Sequence, residues 1–408
     1  MNKDRIVRLC DGLIVAGVIL YTLVLPFEKH TESLKNAGYL LPVTAWILKM
    51  ALLRTPLIRR TPIDLAVIAY LLVCALSAAF SIDRRVSTKI LFRELIPCIL
   101  MFYTIVGNFA DRGKVDWLLR AFLAGGLAVC IYSASNFIFT YSSWAILDGR
   151  IRGPFEQPNR LAQYLLILAS LVVCKAGMQE SGYGRVGLLA CFLLVLYCLF
   201  GTYSRAGWVA FIPAVSIYAL MASRRGAVAI AASCVLLLVG ALLTESGFQR
   251  LTTDFQGGER GLIYHSALNV FKDHPVLGAG YGDKIFLKAY KEKYKSPQAT
   301  DDHSGAHNIF LQVAVESGIL GLIAFTWLHL KAALAMIQAF RKTAQKRLRW
   351  IVLWGLSSLV AVFTIGQLHT LYRDRNIHIF WLVLGIVFAG IQAEREGRWL
   401  THGPREPV

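Results

Sequence analysis

Long apolar segments recur along almost the whole chain, and a single long polar interval interrupts them. Segments of membrane-spanning length lie near residues 11–27, 38–53, 63–80, 90–109, 117–140, 161–176, 186–200, 206–222, 226–243, 308–336, 350–366 and 377–393. Because a helix needs roughly 20 apolar residues to cross the hydrocarbon core, this pattern predicts about twelve transmembrane helices. Strand-like alternation is absent, and backbone groups in lipid must be paired internally. The pattern therefore predicts an all-α polytopic membrane protein.

Lysines and arginines in the short loops predict the orientation of these helices. The N-terminus and the loops near residues 49–60, 224–225 and 341–349 are strongly basic, and such loops stay in the cytoplasm. We therefore expect both termini to be cytoplasmic and the polar interval to lie outside. The predicted organisation is a membrane domain over 1–243, a large outer loop with helices over 244–306, a second membrane domain over 307–393 and a cytoplasmic tail over 394–408.

Composition narrows the class further. Of the 408 residues, 56% are hydrophobic, and the net charge is +18. The basic residues concentrate in the predicted cytoplasmic loops. We therefore interpret the net charge as the result of membrane topology and of contact with anionic lipids, and not as a sign of nucleic-acid binding. All eight cysteines lie in or beside apolar segments, so neither a disulfide framework nor a thiolate metal site is indicated. The first segment has a basic start without a cleavage site and is expected to remain as an anchor.

Basic residues also occur in predicted outer loops, where they are normally scarce. The loop after the third segment carries Arg84 and Lys89. These side chains could snorkel or pair with Asp83 and Glu94, or they could form a surface that meets phosphates. Both interpretations stay open at this point.

The predicted outer loop after the fifth apolar segment is also basic and carries Arg150, Arg152 and Arg160. Turn signals surround these arginines, and Asn159 is a predicted cap for a helix that starts at Arg160 or Leu161. A capped helix start beside arginines can bind an anion. The alternative is that the asparagine only satisfies backbone donors.

Two further arginines begin predicted helices on the same side. Arg205 follows a short outer turn, and its guanidinium offers a fork suited to phosphate or carboxylate, although a structural bridge to an acid is an equal alternative. Arg260 opens an amphipathic helix in the polar interval that ends at Asp273. The glycine-rich stretch over 278–282 that follows lacks the features of a phosphate loop and is predicted to be a tight turn.

A histidine, His307, stands at the entrance of the apolar helix that follows the polar interval. The positive end of that helix would disfavour an imidazolium and leave a neutral base. A cap or packed polar residue is the competing interpretation. A metal site built with His265, His274 or His303 is disfavoured because no helical His-Glu-x-x-His pattern is present.

These landmarks together resemble the O-antigen ligase family of bacterial inner membranes, whose superfamily also includes O-antigen polymerases. The stretches that carry the resemblance are GPFEQPNRLA (153–162), TYSRAGW (202–208), ERGLIYHSALNVFKDHPVLGAGYG (259–282) and HNIFLQVAVESGILG (307–321). The number of helices and the position of the long outer loop agree with the family, so the resemblance covers essentially the whole chain.

The resemblance implies an inner-membrane glycosyltransferase, active on the periplasmic side, that moves a polysaccharide from undecaprenyl diphosphate to a hydroxyl of lipid A-core without cofactor or metal. It places Arg205, Arg260 and His307 at the family's functional positions. We expect His307 to act as general base and the two arginines to stabilise the leaving diphosphate. Since no carboxylate nucleophile is evident, we expect inversion at the anomeric centre.

Other cations are predicted to hold the diphosphate in place, namely Arg84, Lys89, Arg150, Arg152 and Arg160. Two alternative functions remain. A polymerase would join lipid-linked repeat units on the same carrier. A transporter of lipid-linked sugars would require charges or broken helices near mid-membrane and an internal repeat.

Overall fold

The structure is a computed structural model that describes residues 3–28, 31–54, 58–143, 145–179, 181–220, 258–299, 302, 305–369 and 373–399, with single helical positions between 228 and 239. In chain order the helices are α1 (Lys3–Val24), α2 (Glu32–Leu53), α3 (Asp64–Ala79), α4 (Arg84–Arg93), α5 (Leu95–Asn108), α6 (Arg112–Ser135), α7 (Pro158–Met178), α8 (Gly182–Gly201), α9 (Arg205–Ser216), α10 (Gly258–Asp273), α11 (Asp283–Ala289), α12 (Ile309–Lys342), α13 (Lys346–Gly366) and α14 (Asp374–Arg395). Short π-helical turns extend α6 (Asn136–Thr140) and α11 (Tyr290–Tyr294), and a 3₁₀ turn (Ile217–Leu220) extends α9.

The polytopic helical architecture is confirmed. Within the described ranges, nine helical stretches are long and apolar enough to cross a membrane. Two predicted spans correspond to the shorter helices α3 and α9, which have 16 and 12 residues. The predicted span 226–243 lies outside the described residues except for its single helical positions.

One short hairpin departs from the prediction that the chain forms helices only. Strand β1 (Ile146–Leu147) pairs antiparallel with β2 (Arg150–Ile151). The two residues between them, Asp148 and Gly149, have φ values of 50° and 71°. An Asp-Gly pair with positive φ at both positions is the preferred two-residue turn of a hairpin. The sequence therefore contained a hairpin signal, and this hairpin places Arg150.

Polar contacts join the loops in the two groups that the charge pattern predicts. At the predicted cytoplasmic end, ion pairs join Lys49 to Asp11 (2.5 Å), Arg59 to Glu396 (2.9 Å) and Arg347 to Asp116 (2.5 Å). At the predicted outer end, they join Arg160 to Glu28 (3.4 Å), Lys288 to Asp83 (3.0 Å) and Arg373 to Glu94 (3.6 Å). The loops that the sequence assigned to one side of the membrane therefore meet at one end of the bundle.

The centre of the bundle is formed by α7, α13 and α14, whose apolar residues are largely buried. Helix α13 packs against α7 and α9, and α14 packs against α5. Large side chains fill this core, including Trp354 and Trp381. Because the central helices are fixed on several faces, their ends provide firm positions for polar side chains.

Helix α12 is interrupted near its start, at Gly318, where φ is 64° and ψ is −164°. The glycine turn of the outer loop docks there, with Ala279 N–H donating to Val315 O (2.8 Å) and Gly280 N–H donating to Glu316 O (3.2 Å). A Cβ at Gly318 would lie 2.2 Å from the backbone of Val276. Glycine is therefore required both for the backbone angle and for the close approach.

The polar interval, which the structure describes from residue 258 onward, has a small apolar core of its own. Ile263, Ala267 and Val270 of α10 are buried together with Phe286 and Tyr290. The predicted amphipathic face of α10 is thus largely confirmed. Leu268, which the helical pattern also assigned to the apolar face, is 45% exposed and lies outside the buried part of that face. The glycine turn is confirmed by the positive φ values of 72°, 133° and 121° at 278, 280 and 282.

Candidate functional site

The backbone around His307 is held by contacts at three successive residues. Ala306 N–H donates to Oε1 of Gln312 (2.7 Å), and the Tyr264 hydroxyl donates to the His307 carbonyl (3.4 Å). His307 itself has a φ of 50°, a left-handed conformation that non-glycine residues adopt at a cost. The surrounding contacts fix this conformation. Tyr264 lies one turn after Arg260 on α10, so the same helix positions the arginine.

Asn308 links this segment to the loop after α13. Its Oδ1 caps α12 by accepting from the N–H groups of Phe310 (3.0 Å) and Leu311 (3.1 Å). Its Nδ2 donates to Oε1 of Gln367 at 3.2 Å. The predicted location of His307 at the entrance of α12 is therefore confirmed, since His307 immediately precedes the cap.

Arg205 is the first residue of α9. The hydroxyl of Ser204 accepts from Gly207 N–H (3.1 Å) and caps the helix. The carbonyl of Thr202, in the turn just before, accepts from Nε of Arg150 at 2.8 Å. The β-hairpin and the start of α9 are therefore joined directly.

Asn159 does not cap α7, contrary to the prediction. The helix begins at Pro158, its cap residue Gln157 makes no side-chain cap bond, and Asn159 lies in the first turn. Its side chain instead accepts from Nη2 of Arg150 (3.1 Å) and approaches Nδ1 of His369 (3.3 Å). Because Pro158 supplies a preset first-turn φ, the helix starts earlier than a polar cap would indicate.

His369 lies at the meeting point of the predicted site. Its ring centroid is 5.8 Å from that of His307, with the two planes at 69°. Burial, and after it electrostatic interactions with His307 and with the guanidinium groups of Arg260, Arg150 and Arg205, lower the pKa of His369 to about 3. Four predicted site residues from distant parts of the chain thus converge on one imidazole. We call this group of five the cation cluster.

Helix N-termini add to the positive potential of the cation cluster. Arg205 begins α9, Arg260 is the third residue of α10, Asn159 lies in the first turn of α7, and His307 precedes the cap of α12. Each N-terminus carries partial positive charge and unpaired N–H groups. Side chains and backbone therefore both favour an anionic ligand.

Two other predicted cations line a neighbouring cavity of about 320 Å³ instead. Lys89 and Arg160 face it, together with carboxylates. Arg160 pairs with Glu28 (3.4 Å) and Glu156 (3.1 Å). Since Asn159 contacts the cation cluster and Arg160 the cavity, the first turn of α7 separates the two. We call this space the mixed-charge cavity.

Ion pairs balance part of the charge that lines the cavity. Lys35 pairs with Glu32 at 2.9 Å, and Arg375 pairs with the same carboxylate at 3.0 Å. Alternating signs of charge favour binding of polar, mixed-charge ligands over binding of a dianion.

The remaining predicted cations lie elsewhere. Arg84 is exposed on α4, and Nη2 of Arg152 donates to the Ser143 carbonyl at 2.5 Å. Asp83 and Glu94, the acids that could pair with Arg84 and Lys89, form ion pairs with Lys288 (3.0 Å) and Arg373 (3.6 Å).

A buried network of polar side chains lies next to the segment that carries His307. Glu316 is 2% exposed and binds both Gln312 and Arg373. Gln312 also holds the backbone just before His307. This network therefore connects the break in α12 to the segment that carries His307. Among the described residues, no group of three or more His, Cys, Asp or Glu side chains has a metal-binding arrangement.

Comparisons with known proteins find similarity to one family model and to two curated proteins. Residues 190–326 match the model of the family described as O-Antigen ligase. This part of the chain is therefore similar to the O-antigen ligase family that its motifs resemble, a family whose name implies a transferase activity.

Two relatives extend the similarity beyond that domain. One is the "Exopolysaccharide production protein ExoQ" of Rhizobium meliloti (strain 1021), 23% identical over 378 residues, which cover 81% of this chain and 80% of the relative. Another is the "Putative polysaccharide ligase" of Rickettsia felis, 24% identical over 337 residues, with 78% and 80% covered. Arg205, Arg260 and His307 lie inside the matched family domain, whereas Arg150, Asn159 and His369 lie outside it.

Proposed function

We propose that this protein is an O-antigen ligase that transfers a glycan from undecaprenyl diphosphate to a hydroxyl of lipid A-core on the periplasmic side of the inner membrane. The observation that carries the proposal is the cation cluster, in which the His307 ring lies 5.8 Å from that of His369 and the guanidinium groups of Arg150, Arg205 and Arg260 act electrostatically on His369. A lipid diphosphate is the anion that a membrane-bound polysaccharide transferase must accommodate.

In the proposed reaction, His307 removes the proton from the acceptor hydroxyl. The oxygen then attacks the anomeric carbon of the lipid-linked sugar as the bond to the diphosphate breaks. The new glycosidic bond forms on the opposite face, so the configuration inverts. The fixed backbone of His307 supports this role, because general-base catalysis requires a positioned nitrogen.

Arg205 and Arg260 would stabilise the charge that develops on the departing diphosphate. A guanidinium can donate two parallel hydrogen bonds to phosphate oxygens. Donors that are already in place before the reaction stabilise such charge without reorganisation. Arg150, which Thr202 and Asn159 hold in place, would add its positive charge beside the same group.

The more distant cations receive a weaker role in this proposal. Arg84, Lys89, Arg152 and Arg160 would raise the positive potential near the site and steer the anionic donor toward it. Such long-range attraction changes association rates and weakens with salt.

Polymerisation is the second candidate function, and the names of the relatives give it specific support. One relative is named for exopolysaccharide production and the other as a ligase. A polymerase would use the same diphosphate site and base, and only the acceptor would differ.

The transporter alternative has less support from the fold. It predicts broken helices near mid-membrane in both halves. The internal break in α12 at Gly318 is filled by loop backbone of the same chain, which leaves no open substrate site there.

Reconstitution of the purified protein in liposomes tests the proposal. Undecaprenyl diphosphate-linked glycan is supplied with either lipid A-core or a second lipid-linked repeat unit as acceptor, with and without chelator. We expect glycan on lipid A-core, equally with chelator. Product formed only on the second repeat unit would identify a polymerase, and no product with either acceptor would reject both functions.

A further inference from the structure

We propose that His369 is a neutral hydrogen-bond donor, through Nε2–H, to the diphosphate of the lipid-linked substrate, with Asn159 and Arg150 as positioning residues. This inference rests on the proposed function for its choice of ligand. It assigns a role to a histidine outside the matched family domain and distinguishes the two imidazoles of the cluster.

The orientation of the Asn159 amide is the first step. Nη2 of Arg150 lies 3.1 Å from Oδ1 of Asn159. A guanidinium has donors and no acceptor, so its partner atom on Asn159 must be the oxygen. The amide nitrogen must therefore be the atom that faces His369, at 3.3 Å from Nδ1.

The tautomer of His369 follows from that orientation. An amide nitrogen carries only donors, so Nδ1 of His369 must accept the hydrogen bond and cannot itself carry a proton. The proton of the neutral ring then resides on Nε2. Burial and the surrounding cations lower the pKa of His369 to about 3, which keeps this neutral form at the pH of the periplasm.

The location of Nε2 identifies what it can bind. His369 keeps part of its surface exposed, and among the described residues no protein atom bonds to Nε2. A donor there, on a ring that Asn159 links to Arg150 and that also interacts electrostatically with Arg205 and Arg260, suits a phosphate oxygen. It cannot serve as a base, because its lone pair is on Nδ1 and bound to Asn159. Base and donor roles are thereby divided between His307 and His369.

The tautomer can be measured directly on the unaltered protein. In nanodiscs with ¹⁵N-labelled histidine, the His369 signals are those that disappear in His369→Gln. We expect Nε2 to show the shift of a protonated nitrogen and Nδ1 that of an accepting one at pH 7. A protonated Nδ1 or an imidazolium would overturn the inference.

Asn159→Asp provides the matching perturbation. A carboxylate accepts hydrogen bonds on both oxygens, so it can bind Arg150 and an Nδ1–H of His369 together. We expect the proton to move to Nδ1 in this variant. An unchanged spectrum would show that Asn159 does not set the tautomer.

Binding of farnesyl diphosphate, a soluble lipid diphosphate, tests the donor role. The Gln amide nitrogen reaches the position of Nε2, whereas the Asn amide reaches only that of Nδ1. We expect His369→Asn to raise the Kd about tenfold or more, and His369→Gln to stay within roughly threefold of the unaltered protein. Equal weakening by both variants, or no weakening by His369→Asn, would refute the donor role.

His265→Asn is the matched control. His265 is exposed on α10, and its Nδ1 also lies 3.3 Å from an asparagine amide nitrogen, that of Asn269. We expect unchanged farnesyl diphosphate binding. Because these measurements involve neither glycan nor acceptor, loss of the ligase proposal and loss of the His369 inference would be seen in different experiments.

Discussion

The cation cluster and the mixed-charge cavity lie on two sides of the first turn of α7, yet they differ in how their charge is balanced. Around His369, the permanently charged side chains that act on its pKa are the arginines Arg150, Arg205 and Arg260. In the cavity, Arg160 and Arg375 pair with glutamates. Sequence reasoning placed Arg150 and Arg160 in one group of diphosphate ligands, because both belong to the same basic outer loop.

This difference indicates that position relative to carboxylates, and not the number of arginines, marks a site for a highly charged anion. A cation already paired with a carboxylate gains less from a new anionic partner than one held among other cations. We therefore expect substitutions to have effects that decrease from the cluster to the cavity.

His307→Ala should have the largest effect. Loss of a positioned general base reduces transfer by about 10²- to 10⁴-fold, which in a glycan-transfer assay approaches complete loss. Farnesyl diphosphate binding and membrane insertion should persist, since His307 acts on the acceptor. His265→Ala serves as the control, and full transfer by His307→Ala would remove the histidine from its assigned role.

Arg260→Lys should come second. The substitution keeps the charge and removes the planar fork, so we expect transfer to fall about 10- to 100-fold. The reverse exchange at the other end of the same helix, Lys272→Arg, should have no effect. Wild-type rates in Arg260→Lys would mean that charge alone is sufficient in the cluster.

Lys89→Ala should have a smaller effect that depends on salt. If Lys89 acts through long-range attraction, we expect transfer to decrease a few-fold at low ionic strength and the difference to vanish near 1 M salt. Lys346→Ala, at the predicted cytoplasmic end, is the control. A salt-independent loss as large as that of Arg260→Lys would place the diphosphate in the cavity and reverse the comparison.

The titration of His369 should have the smallest effect. Its pKa of about 3 lies below the ordinary value of about 6.5. Below that ordinary value the unfolded chain binds a proton that the folded chain does not. The contribution of His369 to the free energy of unfolding is therefore complete above about pH 6.5, and it declines as the pH falls toward 3. Above about pH 7 the titration of His369 should therefore not affect the transfer rate. Measured between about pH 7 and 8, the pH profiles of transfer by wild type and by His369→Gln should have the same inflections.

The helical spans could be predicted because a helix that crosses a membrane must be long enough to span the hydrocarbon core and must consist mostly of apolar residues. Helix α7 was expected near 161–176 and runs from Pro158 to Met178. The error at Asn159 arose because a polar residue before an apolar run is typical of a cap. A first-turn asparagine with distant partners has the same local sequence, so the contacts that distinguish them are not local.

The meeting of Arg205, Arg260 and His307 was predictable, since each begins a helix on the predicted outer side. His369 was missed, although it stands on that side at the end of α13 and could have been found by surveying all outer polar residues. Its proximity to Asn159 depends on packing between α7 and α13. The Asp148-Gly149 turn was an available signal for the hairpin that carries Arg150.

The buried pair formed by Glu316 and Arg373 constrains biogenesis. Glu316 belongs to α12, whereas its counterion comes after α13, just before the last helix, and also binds Glu94 from the first third of the chain. A nascent chain that stops after α13 would leave two acids in the bundle without this guanidinium, which is strongly unfavourable. The contacts between the early and late parts of the protein are therefore completed only when the last helix has been synthesised. We expect truncated products to be degraded before they assemble.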